Sequence, residues 1–163
     1  MKTNDEIYIQ ARARHLLTAG FLSALKSNFE PEMAMKVVEE AFAKFMIRNY
    51  ESILAGTQPG SQQRFDRFRS HYEEASALKD YVTIVASESS LLAVRFSRCP
   101  FFEVMREEGV GEFAHAFCLS DYAFTKKVLP RVRFRRDHEI TNGDTFCDHA
   151  WHFSHKGISS RTR

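Results

Sequence analysis

"RVRFRRDHEITNGDTFCDHAWHFS", Arg131 to Ser154, is the stretch on which the fold turns. Its two arms, "RVRFRRDHEI" and "DTFCDHAWHFS", flank "TNGD", whose Asn142-Gly143 pair signals a hairpin turn. Period-2 alternation puts Cys147, His149, Trp151 and Phe153 on one face of the last strand and Phe146, Asp148, Ala150 and His152 on the other. Both faces mix apolar and polar groups, so the pattern alone leaves the inward face open. If Cys147 points inward, His149 goes with it, and Asp148 and His152 face solvent.

Upstream, "YVTIVAS" and "LLAVRFSR" separated by "ESS" read as a second hairpin. Between the hairpins, "PFFEVMREEG" reads as a short helix ending at Gly109 and "GEFAHAFCLSDYAFTKKVL" as a longer one stopping before Pro130. The N-terminal half is helical. Apolar residues recur at helical spacing from Asp5 to about Ser27, with Asn4 or Asp5 as N-cap, and Pro31 opens a second helix that stops at Gly56. A third, "RFDRFRSHYEEASALK", carries Phe65, Phe68 and Tyr72 on one stripe and is expected to pack against the first two. Arg12, Arg14, Arg48, Arg64, Arg67 and Arg69 on these helices read as solvated faces, with a ligand pocket as the alternative. The fold class is therefore α+β: N-terminal helices packed on an antiparallel sheet of two β-hairpins, with helices inserted between them. One domain is expected over 1–163, its helical part at 1–79 and its sheet part, with the candidate site, at 80–155.

Composition narrows the function. A net charge of +2 over 163 residues is too small for the electrostatic footprint of a nucleic-acid binder, so no nucleic-acid partner is expected. "RVRFRR" and the tail "SSRTR" read as a solvated strand face and a frayed terminus, with an anion site as the alternative. No run approaches the roughly 18 apolar residues of a membrane span, and the start "MKTNDEIYIQARAR" lacks the core of a signal peptide. The expectation is a cytoplasmic protein without a membrane partner, folding alone or as a small homo-oligomer. Three cysteines at long spacings describe no disulfide framework, and without paired C-x2-C spacing they describe no zinc site, so neither metal nor cofactor is expected.

Each cysteine has an informative neighbourhood. Cys99 precedes Pro100 where a helix begins, and unpaired N–H groups at a helix N-terminus lower a thiol's pKa. Cys118 lies three residues after His115 and three before Asp121, so the three project from roughly one helix face. An aspartate there is costly unless it has a partner or a task. Cys147 lies on the last strand. Inert core thiols are the bland reading of all three. The catalytic reading has one thiolate attacking an electrophilic carbon while Asp121 or a histidine handles the proton.

The ordered blocks "RCPFFEVMREEG", "CLSD" and "NGDTFCDHAWHF" resemble the L-2-amino-thiazoline-4-carboxylic acid hydrolase family, which shows a Cys-Pro, a C-x2-D and a Gly-Asp-x2-Cys-Asp block in this order. The resemblance runs from about Leu92 to Phe153. It implies a hydrolase acting on a carbon–nitrogen bond of a small cyclic amidine, opening 2-amino-thiazoline-4-carboxylate to N-carbamoyl-cysteine, with Cys99, Cys118, Asp121, Gly143, Asp144, Cys147 and Asp148 at the matching positions. At His149 the chain departs from the pattern, which has an aromatic residue there, usually Phe. On this reading Cys118 and Asp121 form the reactive pair, Cys147 is their neighbour and Cys99 completes the catalytic set. Arg95 and Arg98, or Arg133 and Arg135, would bind the substrate carboxylate, since arginine grips carboxylates bidentately. His149 and His115 would line the substrate pocket, and Gly143 and Asp144 would serve the turn. The alternative, from another class, is a small-molecule or metal-binding sensor using the same pocket without turnover.

Overall fold

A computed structural model describes residues 4–77 and 79–155, with the side chains of Asn4 and Asp5 left aside; the N-cap expected at Asn4 or Asp5 and the basic tail at 159–163 lie outside the described parts. Three helices, α1 (Asn4–Asn28), α2 (Pro31–Ile53) and α3 (Gln62–Ala77), precede β1 (Val82–Glu88) and β2 (Leu91–Phe96). Helices α4 (Pro100–Glu107) and α5 (Ala114–Val128) then lead to β3 (Val132–Arg135) and β4 (Cys147–Phe153). The strands form one antiparallel sheet in the order β1-β2-β4-β3. The architecture is α+β. No helix of the described residues is long and apolar enough to cross a membrane.

Strand β4 is central, its Trp151 lying opposite Leu92 of β2 and Phe134 of β3. Its burial alternates, with Cys147, His149, Trp151 and Phe153 inside, which settles the face that the sequence left open. Helices cover only this inner face, so Arg95 and Arg133 on the other face stay exposed. Trp151 is fully buried against Phe68, Tyr72 and Phe134, and its indole N–H donates to Thr125 Oγ1 at 3.1 Å.

Two findings differ from the sequence expectation. The stripe of α3 lies on the sheet, with Phe65 stacked on Phe153 and Phe68 against Trp151, and meets α2 through Tyr50. The second helical layer is instead α1 on α4 and α2 on α5, around Leu22, Val38, Val104, Met105 and Phe113. The connection from β3 to β4 is not a tight Asn-Gly hairpin either. It runs over residues 136–146, with a 3-10 turn at Ile140–Asn142 ended by Gly143 at φ 98°. Carboxylates replace the missing ladder: Asp148 accepts the N–H groups of Asp137 (2.9 Å) and His138 (2.6 Å), and Asp144 that of Glu139 (2.7 Å).

Arg64, expected on a solvated face, is buried. Its guanidinium donates to the carbonyls of Val128 at 2.8 Å, Leu54 at 3.2 Å and Thr57 at 3.0 Å. It thereby satisfies the ends of α2 and α5, where helix carbonyls lack partners and a cation is favoured. Arg67 donates to Ala55 O, and Arg12 pairs with Glu108, the residue that caps the end of α4. Arg64→Met should therefore cost about 3 kcal/mol, since it strands the buried Val128 carbonyl and removes a charged donor from those of Leu54 and Thr57. Denaturant unfolding followed by circular dichroism measures this; a loss below about 1 kcal/mol would contradict the capping role.

Candidate active site

The site lies where α5 crosses the inner face of the β3–β4 end of the sheet. On α5 each three-residue step falls about 60° short of a full turn, so His115, Cys118 and Asp121 fan out. His115 turns toward an open cleft, while Asp121 turns inward toward the sheet. Strand β4 supplies Cys147 and His149 from the same inner face, and β2 leads into Cys99 at the start of α4.

What binds these groups together is a residue the sequence reading passed over. Arg136 follows β3, and its side chain is only 3% exposed. Its Nη1 lies 3.4 Å from Asp121 Oδ2 and 3.4 Å from His149 Nε2. Nη2 donates to the Cys118 carbonyl at 2.7 Å, and Nε lies 3.2 Å from Glu139 Oε2. The guanidinium also faces the Tyr122 and Phe134 rings. Burial opposes its charge, but Asp121, Cys118 and Glu139 outweigh that and hold its pKa above the usual value.

Glu139 is buried and anionic. Burial would raise its pKa, but hydrogen bonds from the Thr141 hydroxyl and from His115 Nδ1 at 2.6 Å, with the Arg136 charge, hold it below the usual range. Asp121 goes the other way, pushed by burial up to about 7, with Arg136 opposing and Glu139 adding. His149 is desolvated among Phe96, Phe134 and Trp151 and beside the Arg136 charge, which pushes its pKa down to about 3. It is therefore neutral at pH 7. A guanidinium only donates, so Nε2 must offer its lone pair and the ring proton sits on Nδ1. That nitrogen faces Asp121 Oδ2 at 3.9 Å and has no hydrogen-bond partner among the described residues.

The three thiols are electrostatic neighbours: Cys147 raises the pKa of Cys99, and Cys99 that of Cys118. Burial dominates all three. Cys99 does receive the N–H groups of Phe102 and Phe101 at the start of α4, yet burial overrides that expected lowering and pushes it up to about 11. Cys118, 3.8 Å from Thr141 Oγ1, is raised by burial and by Glu139. Cys147 accepts the Ile140 N–H at 3.2 Å and is raised by burial as well.

Beside this cluster opens a cleft of about 330 Å³, walled by His115, Tyr122, Arg136, His138, Glu139 and Asn142 among others. The sulfurs and Asp121 do not form its walls; Arg136 stands between. The arginines assigned to the substrate carboxylate are elsewhere. Arg95 is on the outer sheet face, 3.7 Å over the Phe146 ring; Arg98 is held bidentately by Glu103 at 2.6 Å; Arg133 and Arg135 are exposed, Arg135 pairing with Asp137. Among the described residues no group of three or more His, Cys, Asp and Glu side chains is arranged to hold a metal ion.

Asp121 and His149 load the fold in opposite senses. The Asp121 carboxyl binds its proton more tightly folded (about 7) than unfolded (about 4), so its contribution to stability falls as pH rises from 4 to 7. His149 binds its proton more weakly folded (about 3) than unfolded (about 6.5), so its contribution falls as pH drops from 6.5 toward 3. Between pH 4 and 6.5 the two offset each other. His149→Phe should gain stability on acidification from pH 6.5 to 5, and Asp121→Asn should lose it, each by the order of 1 kcal/mol per pH unit. Parallel pH profiles of the two variants in denaturant melts would contradict these assignments.

No curated protein matches the chain. The family model for L-2-amino-thiazoline-4-carboxylic acid hydrolase matches residues 10–151, taking in most of the three N-terminal helices as well as the first two blocks of the second half and the third as far as Trp151. The chain belongs to the L-2-amino-thiazoline-4-carboxylic acid hydrolase family.

Proposed function

We propose that the protein is a hydrolase that opens a small cyclic amidine of the 2-amino-thiazoline-4-carboxylate type in the cleft between α5 and the loop at 136–146. The observation that carries this reading is the convergence of Cys118, Asp121, His149 and Glu139 on the Arg136 guanidinium, which forms a wall of that cleft. Family membership supports the reaction class. The substrate is a small molecule, and the cleft volume of about 330 Å³ suits one.

Water is the nucleophile in this reading, because burial keeps all three thiols protonated at neutral pH. Asp121, its pKa raised by burial to about 7, stands behind Arg136 and positions that wall of the cleft rather than touching the ring. Cys147 lies close enough to Asp121 to feel its charge. Two ring bonds at the amidine carbon can break after water adds. Cleaving the ring carbon–nitrogen bond leaves an S-carbamoyl product, a thiocarbamate; the N-carbamoyl product keeps that nitrogen and requires the carbon–sulfur bond to break. The free thiol formed in the second case distinguishes the two.

Incubation with the thiazoline carboxylate, followed by mass spectrometry and thiol titration, should show substrate gaining one water. Asp121→Asn should lower kcat by about 100-fold, because it removes a partner that positions Arg136 on the cleft wall and misplacement there costs on that scale. No ring opening of any cyclic amidine tested, or an unimpaired Asp121→Asn variant, would overturn the reading.

A further inference from the structure

His115 and Glu139 form a pair whose arrangement the reaction above does not yet use. Glu139, its side chain 9% exposed, is fixed from three sides: Oε1 accepts from the Thr141 hydroxyl, Oε2 faces Arg136 Nε at 3.2 Å, and its backbone N–H donates to Asp144 at 2.7 Å. Against that fixed carboxylate, His115 Nδ1 sits at 2.6 Å. An anionic carboxylate only accepts, so Nδ1 donates and the neutral ring carries its lone pair on Nε2. His115 is also the half-exposed partner, 44% exposed and lining the cleft beside Tyr122. A carboxylate orienting one imidazole nitrogen while the other meets solvent in a cleft is the arrangement of a general base.

We propose that His115 is the general base of the ring opening and Glu139 the carboxylate that positions it, an inference that rests on the hydrolase reading of the same cleft. Water's oxygen bonds to the carbon of the amidinium, its proton passes to His115 Nε2, and the C=N electron pair returns to nitrogen. The neutral adduct then breaks one ring bond. The departing atom leaves with the bonding pair and takes the proton held on His115, and the adduct's hydroxyl gives its proton to solvent as the carbonyl forms. His115 is thereby returned to its neutral state. The sequence assigned His115 to substrate binding; this geometry gives it chemistry.

The test is ring opening by His115→Ala, Glu139→Gln and, as control, the exposed His152→Ala. His115→Ala should lose at least about 100-fold in kcat and recover activity when imidazole is added. Glu139→Gln should lower kcat with KM kept, and Glu139→Asp should restore part of it. By nitrogen NMR, neutral His115 should carry its proton on Nδ1 in the wild type. Wild-type activity retained in His115→Ala, or a proton on Nε2, overturns this proposal alone. Failure of the wild type to open any ring overturns the hydrolase reading and this proposal with it.

Discussion

The site depends on one buried cation. The Arg136 guanidinium reaches Asp121, Glu139, His149 and the Cys118 carbonyl, so α5, the loop after β3 and strand β4 meet through a single planar group. Only arginine suits this position: its donors fan out in a rigid plane, it stacks on aromatic rings, and its charge survives burial. Removing one partner of such a cluster strands the others, which makes it costly to break even where it adds little net stability.

Around that cation, burial sorts the neighbours into distinct protonation states. Glu139 stays anionic because Thr141, His115 and Arg136 all stabilise its charge. Asp121, facing Arg136 at 3.4 Å without the further donors that Glu139 has, is left near neutrality. Two carboxylates sharing one arginine thus sit in different protonation states, set by their surroundings. The thiols fall on the protonated side, and the helix start at Cys99 shows the balance: real N–H donors, outweighed by desolvation.

Much of this was legible in the sequence. Periodicity gave five helices and four strands near their observed positions, because each element has an apolar face with one consistent spacing. The blocks around Cys99, Cys118 and Cys147 pointed to elements that do converge. The sequence misled on residues whose role comes from the far side of the fold. Arg64 sits in a polar helix, and only the ends of α2 and α5 explain its burial. Arg95 and Arg98 lie close to Cys99 in sequence, but one is on the outer sheet face and the other is held by Glu103. Arg136 did leave a signal: it shares strand parity with Val132 and Phe134, so the alternation that buries them points it inward too. Dense neighbouring arginines hid that parity.

Arg136→Lys tests the central claim most directly, since it keeps the charge and removes the planar fork. Ring-opening rate and unfolding free energy, measured on the same preparation, should both fall, the rate by about 100-fold or more and the stability by about 3 kcal/mol. A lysine variant with near wild-type rate and stability would contradict the account.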